Sequence, residues 1–588
     1  MRILGITDGI SSGAAIVEDG RILSAINEER LCRQKMAIGF PRASIGKVFE
    51  LAGIKPSEID AVAVATEHVH FYDRVSGWDG WFEAKKGYVR QLFQDLASDY
   101  SSLANKVPGI RQSYYLTRAP FFRHRKKQIA DILEREFGLK SPLHFINHHF
   151  AHAMSAYIGS GERECLVVTL DGGGDQASSQ VYYAKDGQLT KIHETSSFDS
   201  LGNYYMYGTH LCGFKAQKHE GKITGLAAFG QPKYFDILQK FISCENGKMT
   251  NHAGVVFRGA LEALRKSLPH DFEKKDLAAS LQKHLEENAV QYISKWLHES
   301  RCRKLVVAGG VFANVRLNQR LHELPDVEEL FIFPAMSDEG LAVGAAFAHF
   351  GSSLVVAGQS FNPEKLRDVY LGPEYTSQEI QADLDNFGLR YDYEEDIEED
   401  IARKLAEGYL VARFDGRMEY GPRALGNRSI LYNPGDFSVN NWLNKNLHRT
   451  EFMPFAPSTL AEHAELCFKN LEGAKEPAKY MTITFDCTEW MKSYCPGVVH
   501  VDGTARPQLV CKDQNPKYHK IIEKFRDLTN IPSIVNTSFN MHEEPIVCSP
   551  NDAIRAFLDG HLDYLAIGRF LVKNPKPLDR IVKPSLKA

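Results

Sequence analysis

The chain has 588 residues, 43% of them hydrophobic and 24% charged, with a net charge of -4. This is the balance of an ordinary globular protein of roughly two to four domains. So weak a charge gives a nucleic acid no electrostatic footing, and no unbroken apolar run of about 18 residues is present, so neither a nucleic-acid partner nor a membrane span is expected. The 10 cysteines are scattered without a CxxC pair, which suits reduced thiols and a cytoplasmic setting.

The opening, MRILGITDGISSGAAIVEDGRILSAINEER, reads as a buried strand, a polar turn and a hairpin closing at Asp19-Gly20, not as a signal peptide. PRASIGKVFELAGI has helical spacing and IDAVAVAT that of a buried strand. From about residue 68 to 130 aromatic and charged residues mix, predicting a helical insertion; its cluster FFRHRKK is read as the solvated face of a helix. In NHHFAHAMSA, His148 and His152 lie four apart, so a helix presents both rings on one face, one turn apart, as two nitrogens for a single metal ion. CLVVTLDGGGDQASSQVYYAKDGQL repeats the opening plan, with a strand ending at Asp171 and a hairpin at Asp186-Gly187. KLVVAGGVFANVRLNQRL is strand, glycine turn and helix, and DEGLAVGAAFAHF is a small-residue helix built for close packing. A boundary is predicted near 351–365, followed by a smaller mixed α/β portion running to the end.

Three strand–glycine-turn units, at Asp8-Gly9 to Ser12-Gly13, at Asp171–Asp175 and at Gly309-Gly310, could bring backbone amides against phosphate. Together they resemble the duplicated nucleotide-binding core of actin, Hsp70 chaperones and sugar kinases. Two imidazoles with the carboxylates of Asp171 and Asp338 would suit a divalent transition metal. GRMEYGPRALGNR and NKNLHR bring Arg417, Arg423, Arg428, Lys445 and Arg449 close in sequence, a cationic set suited to phosphate.

The motifs NHHFAHAMSA, LDGGGD, HEGKITGLAAFG, AGGVFANVRLNQRL, PAMSDEGLAVGAAF, GRMEYGPRALGNRSIL, LNKNLHRTEFMPFAPS, VDGTARPQLV and NTSFNMHEEPIVCSP, in this order, resemble the NodU/CmcH-type O-carbamoyltransferases. The resemblance implies an actin-like transfer domain over 1–355, similar to the tRNA threonylcarbamoyl-transfer protein, and a YrdC-like α/β domain over 365–588. It implies that carbamoyl phosphate and ATP with Mg2+ give a carbamoyl-adenylate, whose carbamoyl group then passes to a hydroxyl of a small polar metabolite. Acceptors across the family include nodulation factors, cephems, aminoglycosides, ansamycins and guanidinium alkaloid toxins, and a homo-oligomer is compatible with it. His148, His152, Asp171 and Asp338 match its iron(II) ligands, with another divalent transition metal as the alternative. Gly172, Gly173, Gly309, Gly310 and Asn314 match positions around the nucleotide. Arg423, Lys445, Arg449, Arg506 and Asn536 fall in the segments that hold carbamoyl phosphate and adenylate, and Lys35 is expected to reach the same site. His149 is the candidate general base, against a packing role, and Tyr204, Tyr205, Tyr207, Glu220 and Lys222 are candidates for the acceptor pocket. The family's His-Asp-Ser turn after the first strand reads TDGISSGAA here, so Asp8 and Ser12 are approximate equivalents and the histidine is missing. The rival readings are a tRNA-modifying enzyme, a sugar-kinase-like phosphotransferase and a non-catalytic binding protein.

Overall fold

The computed structural model describes residues 1–82, 110–438 and 455–577. Its first sheet is made of β1 (Arg2–Thr7), β2 (Gly13–Glu18), β3 (Arg21–Asn27), β4 (Ala61–Ala65) and β5 (Leu143–Ile146), in the order β3-β2-β1-β4-β5. The first three strands are antiparallel, and β4 and β5 continue the sheet in parallel. A second sheet repeats the plan with β6 (Glu164–Gly174), β7 (Ala177–Lys185), β8 (Gln188–Ser196), β9 (Lys304–Ala308) and β10 (Glu329–Ile332), in the order β8-β7-β6-β9-β10. This duplication is the plan of the actin, Hsp70 and sugar-kinase fold. Both predicted hairpins form. Asp19 and Gly20 (φ 49° and 81°) and Asp186 and Gly187 (φ 46° and 87°) take the left-handed values that a two-residue turn between twisted strands requires.

Two helices lie between the sheets. α1 (His148–Ser160) is capped by the Asn147 side chain, which accepts from the Phe150 amide at 3.1 Å. α2 (Leu341–Val356) packs on β1, β2 and β4 and on α1. Glycine makes both contacts close: a Cβ at Gly344 would lie 2.2 Å from the Ala151 carbonyl oxygen, and one at Gly5 1.9 Å from that of Ala342. With its preceding turn, α2 spans Asp338–Val356 and is long and apolar enough to cross a membrane by length and composition, which a count of unbroken apolar runs misses. Its apolar character matches its place in the core shared with Ile3, Ala63, Ala151 and Val306.

The third sheet has eight strands and mixed directions. Its members are β11 (Asp392–Tyr393), β12 (Val411–Phe414), β13 (Arg428–Tyr432), β14 (Ala456–Leu460), β15 (Gln508–Val510), β16 (Ser533–Ser538), β17 (Tyr564–Ile567) and β18 (Phe570–Lys573), in the order β11-β18-β17-β12-β13-β16-β14-β15. All strands of the first two sheets precede residue 333 and all strands of the third follow residue 391. The helix Glu28–Cys32 ties the two parts together. Arg30 donates to the Gly421 carbonyl at 2.9 Å, and Arg33 to those of Pro545 and Ile546 at 2.8 and 2.7 Å.

The predicted insertion contains a long helix, Ile110–Phe137; residues 83–109 lie outside the described residues. Arg123, His124, Lys126 and Lys127 of FFRHRKK are exposed, as a solvated face demands, but Arg125 is not. It is fully buried and pairs with Asp8 through two bonds of 2.6 and 2.9 Å. That pair spends the Asp8 carboxylate in the interior, while Ile10 and Ser11 of the same turn line the larger cavity.

Candidate active site

Helical geometry brings His148 and His152 onto one face of α1, with ring centroids 4.7 Å apart. Asp171 comes from the carboxyl end of β6, and Asp338 from the turn that opens α2. The carboxyl ends of strands are where open α/β sheets place their ligands. His152 Nε2 lies 3.2 Å from Asp171 Oδ2 and 3.6 Å from Asp338 Oδ1; His148 Nε2 lies 3.5 and 3.8 Å from the same two atoms. One ligand atom from each residue falls within a sphere of mutual distances no greater than 4.8 Å.

Three nitrogens of this cluster, His148 Nε2 and both ring nitrogens of His152, are buried without a hydrogen-bond partner. Such atoms are costly to leave unpaired, and two imidazoles with two carboxylates form a donor set suited to a divalent transition metal. The residues therefore fit the ion. Electrostatics points the same way. Burial disfavours charge on His152, yet Asp171 and Asp338 hold its imidazole up at about 9. Burial would raise the Asp171 carboxyl, but His148 and His152 reverse this and hold it well below the usual carboxylate range. The cluster thus holds a proton where a cation would replace it.

His149 points elsewhere. Its Nδ1 lies 2.8 Å from Thr169 Oγ1 and its Nε2 3.0 Å from the Ala177 carbonyl, and burial pushes the imidazole down to about 3. With both nitrogens occupied and no exposure, it packs the interior and is withdrawn as the general base.

A cavity of about 480 Å3 opens beside the cluster, with Asp171, Asp338, Gly172, Gly310, Asn314 and Glu220 in its wall. Asp171 accepts from the Gly172 amide at 2.6 Å and the Gly310 amide at 3.3 Å, so both glycine turns close on the cluster. Gly173 and Gly309 do not line the cavity. Gly309, at φ 114°, allows a close approach in which a Cβ would meet the Leu170 carbonyl oxygen at 2.2 Å. Asn314 caps the helix Val315–His322 and bonds to Gln282 at 2.8 Å. Of the expected acceptor residues, Tyr205 and Glu220 line this space. Burial lifts the Glu220 carboxyl to about 7, against the hydrogen bond donated by the Gln217 amide. Lys222 lies outside the cavity wall. Tyr204 belongs to the core, its hydroxyl 3.0 Å from Asn251 Oδ1, and its neighbour Tyr205 lines the cavity instead. Glu339, Ile10 and Ser11 also line it. Sequence reasoning missed Glu339, although it directly follows Asp338; burial, then Asp338 and Glu29, lift its carboxyl to about 7.

A second cavity of about 270 Å3 is lined by Arg423, Arg506, Asn536 and His542. Lys35 and Arg423 stand in the walls of both. Asn536 donates to Ser458 Oγ and Gln508 Oε1 at 3.0 and 2.9 Å, while its own Oδ1 is buried without a partner. Arg417 and Arg428 are not part of this site. Arg417 donates to the Leu371 carbonyl at 2.8 Å, and Arg428 to the Asp415 and Gly416 carbonyls at 2.9 and 3.0 Å; both brace the backbone. Lys445 and Arg449 lie outside the described residues.

Comparison with known proteins covers both parts of the chain. Family models described as the carbamoyltransferase N-terminus and the carbamoyltransferase C-terminus match residues 2–347 and 402–574. The uncharacterized protein sll1178 of Synechocystis is 32% identical over 98% of this chain and 97% of its own length. The nodulation protein NolNO of Sinorhizobium fredii is 32% identical over 95% of this chain and 78% of its own. The nodulation protein U of the same organism is 26% identical over 92% and 94%. With the duplicated sheets, the histidine–aspartate cluster and the cavity beyond Arg423 all falling inside these matches, the chain belongs to the carbamoyltransferase family.

Proposed function

We propose that the protein activates carbamoyl phosphate with ATP in the smaller cavity and transfers the carbamoyl group to a hydroxyl in the larger one. In this reading residues 1–355 carry transfer and 365–588 activation. In the first step carbamoyl phosphate and water give carbamate and phosphate, and carbamate attacks ATP to give carbamoyl-adenylate and pyrophosphate. In the second, an acceptor hydroxyl attacks the carbamoyl carbon, AMP leaves, and the hydroxyl proton passes to a base. Arg423 and Arg506 neutralise the phosphates and orient them, and Asn536 offers its unpartnered carbonyl oxygen to the carbamoyl amide protons. Lys35, in both walls, follows the charge as the adenylate moves across. His148, His152, Asp171 and Asp338 would hold the divalent metal, iron(II) being the family's ion, which when bound supplies Lewis-acid polarisation. Glu220 and Glu339 are the carboxyls placed to accept a hydroxyl proton on the acceptor side. Kinship with nodulation proteins supports a small polar acceptor with a free hydroxyl.

The observation that carries this reading is the pair of adjoining cavities, one walled by arginine and the other by the histidine–aspartate cluster. It is tested by separating the half-reactions. His152→Ala should abolish the carbamoylated product while sparing pyrophosphate release that depends on carbamoyl phosphate, and Arg506→Ala should abolish both. Equal loss of both activities in a folded His152→Ala protein would overturn the division of labour.

A further inference from the structure

Thr66 directly follows β4 and has φ +66°. The left-handed region is unfavourable for any residue with a side chain and most of all for a β-branched one. Such a conformation persists only where its surroundings over-determine it, and it clusters at functional sites. Here the restraint is complete. Arg125 donates to the Thr66 carbonyl at 2.8 Å and to the Ala65 carbonyl at 3.1 Å, while being held by the buried Asp8. Asp175 accepts from the amides of Glu67 and His68 at 2.8 and 2.7 Å. Two buried charged side chains, one from the inserted helix and one from beyond β6, therefore grip the backbone on both sides of a single strained residue.

The product of that restraint is a hydroxyl aimed at the metal cluster: Thr66 Oγ1 lies 3.1 Å from His148 Nδ1. The same Asp175 carboxylate also accepts from the His148 amide at 2.7 Å. Gly174 closes on the other side of the ring, where a Cβ would stand 2.3 Å from His148 Cγ. The His148 ring is thus fixed by its backbone, by one face and by one nitrogen.

We propose that Thr66 is a positioning residue for His148, its hydroxyl accepting the Nδ1 proton so that the Nε2 lone pair is presented to the space shared with His152, Asp171 and Asp338. A metal-binding imidazole must be neutral with its proton on the far nitrogen, and a partner there fixes tautomer and orientation together. The inference rests on the metal reading of the cluster.

The test is titration of the full-length, metal-free protein with cobalt(II), following affinity and the visible cobalt spectrum. Thr66→Val keeps shape, branching and backbone strain but removes the acceptor; it should weaken binding roughly ten- to a hundred-fold and alter the spectrum. Thr66→Ser should restore both, which a purely structural role would not explain. Carbamoyl-phosphate-dependent pyrophosphate release should survive in all these variants. If Thr66→Val fails to fold, Thr66→Gly, which relieves the strained φ, should raise the melting temperature and still bind cobalt weakly. Wild-type affinity and spectrum in Thr66→Val or Thr66→Gly would overturn the inference alone. Absence of His148-dependent cobalt binding in the wild-type protein would overturn the metal reading and this inference with it.

Discussion

Glu220 has the placement and the proton affinity of a working group. Its carboxyl lines the larger cavity, and burial lifts it to about 7. Among the described residues no ion pair engages it, so the charged form gains little from the protein itself and is available to a ligand hydroxyl. Only that form accepts a hydroxyl proton, so transfer should rise as pH increases through about 7. Glu220→Gln should lower kcat/KM for the acceptor by roughly ten- to a hundred-fold, the worth of a hydrogen bond to a charged group, and flatten that limb of the pH profile. An unchanged pH–rate profile in the variant would remove Glu220 from the reaction. Legibility at this scale is uneven. His148 and His152 could be read from their spacing because a helix enforces it, whereas Asp171 and Asp338 offered only a strand end and a helix start, and the family motifs joined them to the histidines. The tyrosines could not be read, because the helix Leu201–Leu211 buries Tyr204, Tyr205 and Tyr207 alike; which of them faces the cavity depends on what packs around it. Arg417 and Arg428 misled for a related reason. A guanidinium bound to backbone carbonyls has the same sequence as one bound to phosphate.

At the scale of elements, the hairpins and the helix bearing the histidines were written locally, in Asp-Gly pairs and four-residue spacing, and formed as read. The partner of the Asp8 carboxylate was not. Nothing near Asp8 announces that its partner lies 117 residues away, on a helix whose other basic side chains face solvent. The Asp8–Arg125 pair is fully buried on both sides, so its Coulomb gain is offset by desolvation. Removing one partner is another matter, because the remaining charge has nowhere to go. Arg125→Met should cost about 3–5 kcal/mol in urea denaturation. The double variant Asp8→Leu, Arg125→Met should recover most of that loss, since an apolar pair of similar volume fills the same space without a stranded charge. If the single variant keeps wild-type stability, the ion pair does not hold the inserted helix against β1. The apolar character of α2 over its buried part, 341–348, follows from the same logic of enclosure: that part is covered by β1, β2, β4 and α1, so no polar face is needed there and its glycines mark the close contacts.

Taken whole, the molecule joins two cavities whose walls share Lys35, Gly221, Pro422, Arg423 and Ser538. The sequence implies the two-step chemistry only through the family resemblance and does not place its two sites side by side, because the segments that meet at this wall are hundreds of residues apart and each carries only a local turn signal. In the proposed two-step reaction a shared wall has a chemical purpose. A carbamoyl-adenylate released to water would hydrolyse, so yield depends on keeping it within a space that excludes bulk solvent. Gly221 offers a way to obstruct the passage without disturbing either site. It lies in the helix Glu220–Ala227, its φ is not in the left-handed region, and a Cβ built on it meets nothing within 4 Å. A large side chain would therefore occupy open space rather than displace backbone, and in a helix any such residue is favoured over glycine. Gly221→Phe should leave carbamoyl-phosphate-dependent pyrophosphate release close to wild type and lower the carbamoylated product, so that the ratio of pyrophosphate to product rises well above one. Pyrophosphate and product falling together would mean that the phenylalanine blocks entry to the activating cavity rather than passage between the two. A ratio that stays near one, at wild-type rates, would mean that the intermediate reaches the acceptor by another route, and the shared wall would then have no part in transfer.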